Sequence, residues 1–133
     1  RIANENLDKY LKDKGIKKSC KQPSGLVYCK TQDGTGGHPK AGSKVTVHYV
    51  GRLLDGTVFE SSLERGAPLN LVLGTGRGLK GFEEGVMMMQ KGEKATLVLP
   101  FNLAYGDRQI GIIPPFSPLV FDVELIDIEN TNN

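Results

Sequence analysis

Over much of its length the chain alternates apolar and polar residues with a period of two, the pattern of half-buried strands. Leu26 to Thr31 is one such run, and Val45, Val47 and Tyr49 alternate with Thr46, His48 and Val50 in a second. Leu69, Leu71 and Leu73 mark another, Lys94 to Leu99 alternates again, and Leu119, Phe121, Val123 and Leu125 share one face of a last strand. Asp55-Gly56, between Leu53-Leu54 and Val58-Phe59, predicts a hairpin. The period changes twice. Leu7, Tyr10 and Leu11 sit at helical spacing within Asn4 to Lys14, with Gly15 as a stop; Leu79, Phe82, Val86 and Met89 recur at three- and four-residue steps before Gly92. Roughly five strands with one helix among them predict an α+β fold, an antiparallel sheet bent around a short helix, preceded by a short N-terminal helix and a β-hairpin.

Length and composition sharpen this picture. At 133 residues and 38% hydrophobic, the chain supports one core and a small appendage. The expected division is a helical arm over 1–18, a connecting hairpin arm over 19–24, a main domain over 25–129 and a tail over 130–133. The net charge of +2 comes mainly from Lys9, Lys12, Lys14, Lys17, Lys18 and Lys21, which interleave with Asp8 and Asp13 and read as a solvated face. A nucleic-acid footprint combines a larger basic excess with stacking aromatics, so no nucleic-acid partner is expected. No apolar run approaches a membrane span. The sequence starts at Arg1, so any targeting segment is expected upstream.

Cys20 and Cys29 flank a turn signal at Ser24-Gly25. A two-residue turn there gives strand partners whose numbers sum to 49. Cys20 then faces Cys29 in a non-hydrogen-bonded pair, with α-carbons about 4.5 Å apart, within reach of a disulfide. Pro23 opposes this register, because it lacks the N–H that the turn-closing pair uses. Two reduced thiols packed together are the alternative. A disulfide implies a periplasmic or secreted protein, its absence a cytoplasmic one.

The segment 101–118 is long for a loop yet carries Tyr105, Ile112, Ile113 and Phe116, so it reads as the wall of a site. Tyr105-Gly106, Gly111 to Pro115 and Phe121 bring together a phenol, β-branched residues, a proline pair and an aromatic ring, without a metal ligand set or a nucleophile beside a base. Such a pocket suits an uncharged group such as a peptide. Gly76-Arg77-Gly78-Leu79-Lys80-Gly81 matches a dinucleotide fingerprint, but nothing alternates strand and helix a second time, and glycines easing a turn into a helix explain it better. His38 and His48 lack partners at ligand spacing, so no metal is expected. Ser61 and Ser62 lack a recognisable base. One or two of Met87, Met88 and Met89 are more simply core than binding surface.

Several segments, taken in order, resemble the FKBP-type peptidyl-prolyl cis–trans isomerases. They are Val47 to Gly51, Asp55 to Ser62, Gly81 to Gly85, Ala104-Tyr105-Gly106, Gly111 to Pro115 and Leu119 to Leu125. The likeness covers about residues 25 to 129, and the N-terminal helix is similar to the arms of some bacterial members. The resemblance implies an isomerase that accelerates X-Pro rotation during protein folding without a cofactor. Its alternative is a peptide-binding or chaperone module with weak or no isomerase activity. It implies catalytic roles for Tyr105, Phe121, Phe59 and Glu60, and substrate binding by Tyr49, Leu69, Leu79, Phe82, Ile112 and Ile113, with backbone N–H groups near Ile112–Ile113 or Leu79 meeting ligand carbonyls. Implied partners are proline-containing peptides, unfolded proteins and the macrolide ligands of the family, and a homodimer through the arm. The chain has Glu60 where the family usually has Asp, Phe82 for Trp and often Leu69 for Phe. Its loop after Tyr105-Gly106 is a residue short, and the smaller floor implies a roomier site.

Overall fold

A computed structural model describes residues 2–130 of the chain. The elements run α1 (Ile2–Asp13), a 3-10 turn (Lys18–Cys20), β1 (Val27–Gln32), β2 (Ser43–Leu53), β3 (Val58–Ser61), α2 (Ser62–Arg65), β4 (Leu69–Val72), α3 (Lys80–Met88), β5 (Lys94–Leu99), a second 3-10 turn (Phe101–Leu103) and β6 (Leu119–Asn130). The last strand pairs as far as Asn130, and the rest of the tail expected at 130–133 lies outside the described residues. All strand pairs are antiparallel. The order is β1-β5-β6-β2-β3, and β4 also pairs with β2. One edge of β2 is shared: Lys44 to Val47 pair with β4, Val50 to Arg52 with β3. The single sheet therefore bends at β2, as the α+β expectation required.

Alternation sends the two faces of the sheet to two cores. Val45, Val47, Tyr49, Leu97, Leu99, Leu119, Phe121, Val123 and Leu125 line the inner face and bury Phe82 and Val86 of α3 and Met89 just past its end. Between them, Val98 and Val120 point outward beside Val27 of β1, and Leu7 of α1 covers them. Leu7, Tyr10 and Leu11 thus dock on the back of the sheet. The helix ends in a Schellman motif: Gly15 takes φ 69, its N–H donates to Lys12 O and that of Ile16 to Leu11 O.

Two helix glycines set how deeply α3 sits. A Cβ at Gly81 would lie 2.5 Å from Leu99 Cγ, and one at Gly85 2.5 Å from Leu97 Cδ1. Only hydrogen at these positions lets the helix backbone rest directly on β5.

The Asp55-Gly56 hairpin closes with a three-residue loop: Leu53 N–H donates to Thr57 O, Gly56 N–H to Leu53 O, and Gly56 takes φ 93. The same solution replaces the two-residue turn expected at Ser24-Gly25. Gln22 N–H donates to Leu26 O, Gly25 N–H to Gln22 O, and Lys21 pairs with Val27, so partners sum to 48 rather than 49. Pro23 explains the shift, since it has no N–H for the expected closing pair. Cys20 lies in the 3-10 turn rather than on a strand, yet a disulfide joins it to Cys29, with α-carbons 5.3 Å apart.

Candidate functional site

The site opens between the inner face of the sheet and the start of α3. Tyr49 from β2 and Phe121 from β6 each meet Phe82 from α3 edge to face there. Phe82 lies 5.6 Å from Tyr49 and 5.2 Å from Phe121, with ring planes 72° and 76° apart. Pairs of this geometry add about 0.5–1.5 kcal/mol beyond area burial. Phe59 stands behind Phe121 at 5.8 Å. A Cβ at Gly51 would meet Phe59 at 2.7 Å and Phe121 at 2.9 Å, so glycine there makes room for both rings. Above the aromatic cluster is a cavity of about 530 Å³, lined also by Glu60, Leu69, Leu71, Arg77, Leu79, Lys80, Asn102, Ala104, Tyr105 and Arg108. A larger apolar groove of about 730 Å³ runs between α1 and residues 114–118, but holds none of the aromatic cluster.

Each wall is held by local chemistry. The Ser61 hydroxyl caps α2 by accepting from Glu64 N–H, and Gly66 ends it in the left-handed region. The buried Ser62 hydroxyl accepts from Tyr49 N–H at 2.8 Å and contacts His48 Nδ1 at 2.9 Å, so it ties α2 to β2. Its burial removes it as a nucleophile. This anchor sets Arg65 5.9 Å from the centre of the Tyr49 ring and 3.4 Å from Glu60. Burial first, and the neighbouring Glu60 carboxylate second, push the Tyr49 phenol up to about 12.

The opposite wall is the 101–118 loop. Gly106 N–H donates to Phe101 O, Phe116 N–H to Gly106 O at 2.8 Å, and the rings of Phe101 and Phe116 stack edge to face at 5.2 Å. These contacts hold Phe116 at φ 62, a conformation unusual for a bulky residue. The Tyr105 phenol is raised by burial and by the nearby Glu60 charge, and its hydroxyl has no hydrogen-bond partner among the described residues.

The structure brings Tyr49, Glu60, Leu69, Leu79, Phe82, Tyr105 and Phe121 onto one lining; Phe59, Ile112 and Ile113 lie off it. Ile110 and Ile113 bond reciprocally, N–H to O, around Gly111-Ile112. Ile112 is therefore at the tip of a tight turn and 61% exposed, whereas Ile113 is buried in the core and its amide is engaged. Of the backbone donors expected, those at the start of α3 are the better placed: Leu79 lines the cavity, and a helix leaves its first N–H groups without internal acceptors. Sequence reasoning missed Leu71, Arg65, Arg77 and Arg108. Leu71 shares a strand face with Leu69 and was readable from period two; the arginines carry no periodic signal.

Residues 36–126 match the family described as FKBP-type peptidyl-prolyl cis-trans isomerase. The chain belongs to that family. "Peptidyl-prolyl cis-trans isomerase FPR2" of Saccharomyces cerevisiae is 54% identical over 91 residues, 67% of this chain and 67% of that protein. "FKBP-type peptidyl-prolyl cis-trans isomerase FkpA" of Escherichia coli is 43% identical over 127 residues, 96% of this chain. The present sequence spans only 45% of that protein's length. Among solved structures, FkpA from Escherichia coli superposes with a TM-score of 0.84 at 39% identity, covering 98% of this chain and 62% of that one. AtFKBP13 gives 0.77 at 41% identity, covering 81% and 96%. Both likenesses extend the FKBP fold to this chain.

Proposed function

We propose that the cavity above Phe82 is a peptidyl-prolyl isomerase site that accelerates X-Pro rotation in folding chains. The observation that carries the reading is the joining of two features on one lining: an aromatic cluster and a Tyr105 hydroxyl with no hydrogen-bond partner among the described residues. Rotation about a peptide bond meets a barrier of about 18–20 kcal/mol because it destroys resonance. The twisted amide is less charge-separated than the planar one, so an apolar pocket disfavours the planar form more. Lowering the barrier by about 5–7 kcal/mol speeds the reaction roughly 10⁴- to 10⁵-fold.

In this reading Phe82, Tyr49 and Phe121 hold the proline ring, with Phe59 bracing Phe121 from behind. Tyr105 donates to a carbonyl of the bound segment and so orients it, and the amide at Leu79 meets a second carbonyl. Glu60 moves no proton, since rotation transfers none; it fixes Arg65 beside Tyr49. Leu69 and Phe82 are smaller than the family's usual Phe and Trp and leave a roomier floor, which favours peptide over a tightly fitted macrolide. The disulfide supports a periplasmic or secreted location over the cytoplasm. A homodimer through the arm would have to use surface other than the apolar face of α1, which lies on its own sheet.

The decisive experiment is a cis–trans assay on short X-Pro peptides with this chain. Acceleration that falls on Phe121→Ala substitution, with the fold retained by circular dichroism, supports the assignment. No acceleration, alongside retained binding of unfolded protein, would replace it with a binding module that holds chains without isomerising them.

A further inference from the structure

Three cations line the cavity: Arg77 and Lys80 at the entry to α3, and Arg108 on the Tyr105 loop. All three are exposed and none forms an ion pair with another described residue. The single carboxylate on the same lining, Glu60, is engaged by Arg65. Asp107 is adjacent to Arg108 in sequence but is not on the lining. With a net charge of only +2 over 133 residues, three unpaired cations around one mouth are a local concentration of charge, not a reflection of a basic protein. Low-dielectric walls strengthen such a field.

We propose that Arg77, Lys80 and Arg108 form a cationic collar that selects X-Pro segments carrying an acidic side chain next to the proline. This rests on the isomerase reading of the pocket and adds its substrate class. An acidic neighbour reaches charge that the protein itself leaves uncompensated, whereas a basic neighbour meets like charge. The preference belongs to the rim: it alters capture of the peptide, while the proline ring still rests on Phe82 and Phe121.

The test compares kcat/KM for peptides that differ only in Glu, Gln or Lys placed immediately before, or immediately after, the proline. At low ionic strength at least one placement is expected to favour Glu over Gln by about three- to tenfold, with Lys below Gln. Salt near 1 M shortens the screening length to about 3 Å and should bring the ratio toward one. The variant R77Q/K80Q/R108Q should lose the Glu-over-Gln ratio, a readout internal to each variant and independent of its overall rate. Turnover of all the peptides with Glu and Gln equal at both placements would overturn the collar and leave the isomerase reading standing. A ratio that survives R77Q/K80Q/R108Q would also overturn it. Turnover of none of them would remove both.

Discussion

The Glu83 carboxylate accepts the N–H of Gly78 at 2.8 Å through one oxygen while the other accepts the N–H of Gly74 at 2.9 Å. One buried acid on α3 thereby clips the whole 74–78 segment that leads to Arg77 and Leu79 on the cavity rim. Glu83→Gln retains a single acceptor oxygen, so one of the two amides loses its partner. A destabilisation of about 1–3 kcal/mol is expected, read as a lowered urea midpoint. KM for X-Pro peptides should rise more than kcat falls, because the rim loosens while the aromatic floor stays. An unchanged midpoint would show that water replaces the clip at no cost.

Tyr105→Phe removes a hydroxyl without changing the ring. Since that hydroxyl bonds to nothing else among the described residues, thermal stability should stay within about 0.5 kcal/mol of the parent. The catalytic loss should be about five- to tenfold in kcat/KM. Loss of stability without loss of rate would reassign Tyr105 to the scaffold.

The pocket should tolerate alkaline pH. A free phenol ionises near pH 10, but Tyr49 is pushed up to about 12 and Tyr105 is raised as well. A folded-state value above the unfolded one means that the Tyr49 contribution to stability is complete below about pH 10 and is lost as pH rises through about 12. Peptide turnover should therefore hold nearly level from about pH 8 to 10. A decline centred at or below the free-phenol value would contradict the shielding of both hydroxyls.

Replacing Cys20 and Cys29 together by Ser opens a loop closed across a separation of nine residues. The expected loss is about 2–3 kcal/mol of stability. Because the bond lies with the α1 cluster on the outer face of the sheet, kcat/KM measured at low temperature should be unaltered. A parallel fall in catalysis would mean that the two faces of the sheet communicate.

Most of the fold was legible because the sheet separates two different surroundings, and period-two alternation records this residue by residue: Leu97 and Leu99 face inward, Val98 outward. The helix α3 was legible from Phe82, Val86 and Met89 for the same reason. What escaped was structure shorter than its own period. A four-residue helix such as α2 shows no repeat, so neither the Ser62 anchor nor the position of Arg65 over Tyr49 could be read. Ile112 and Ile113 are chemically identical neighbours, and only the reciprocal bonds of Ile110 and Ile113 decide which of them is buried. The register at Cys20 turned on the missing N–H of Pro23, visible in the sequence but not enough to show that a three-residue loop would follow.

Hydrogen at positions 81 and 85 makes α3 a floor of adjustable height. The two positions are four residues apart, on the same side of the helix, so a methyl at either acts as a shim between α3 and β5. Lifting the helix would move Phe82 relative to Tyr49 and Phe121 and reshape the cavity without altering any residue that meets the substrate. The ligand size a protein of this fold accepts can thus be tuned from beneath, by side chains that no ligand ever touches.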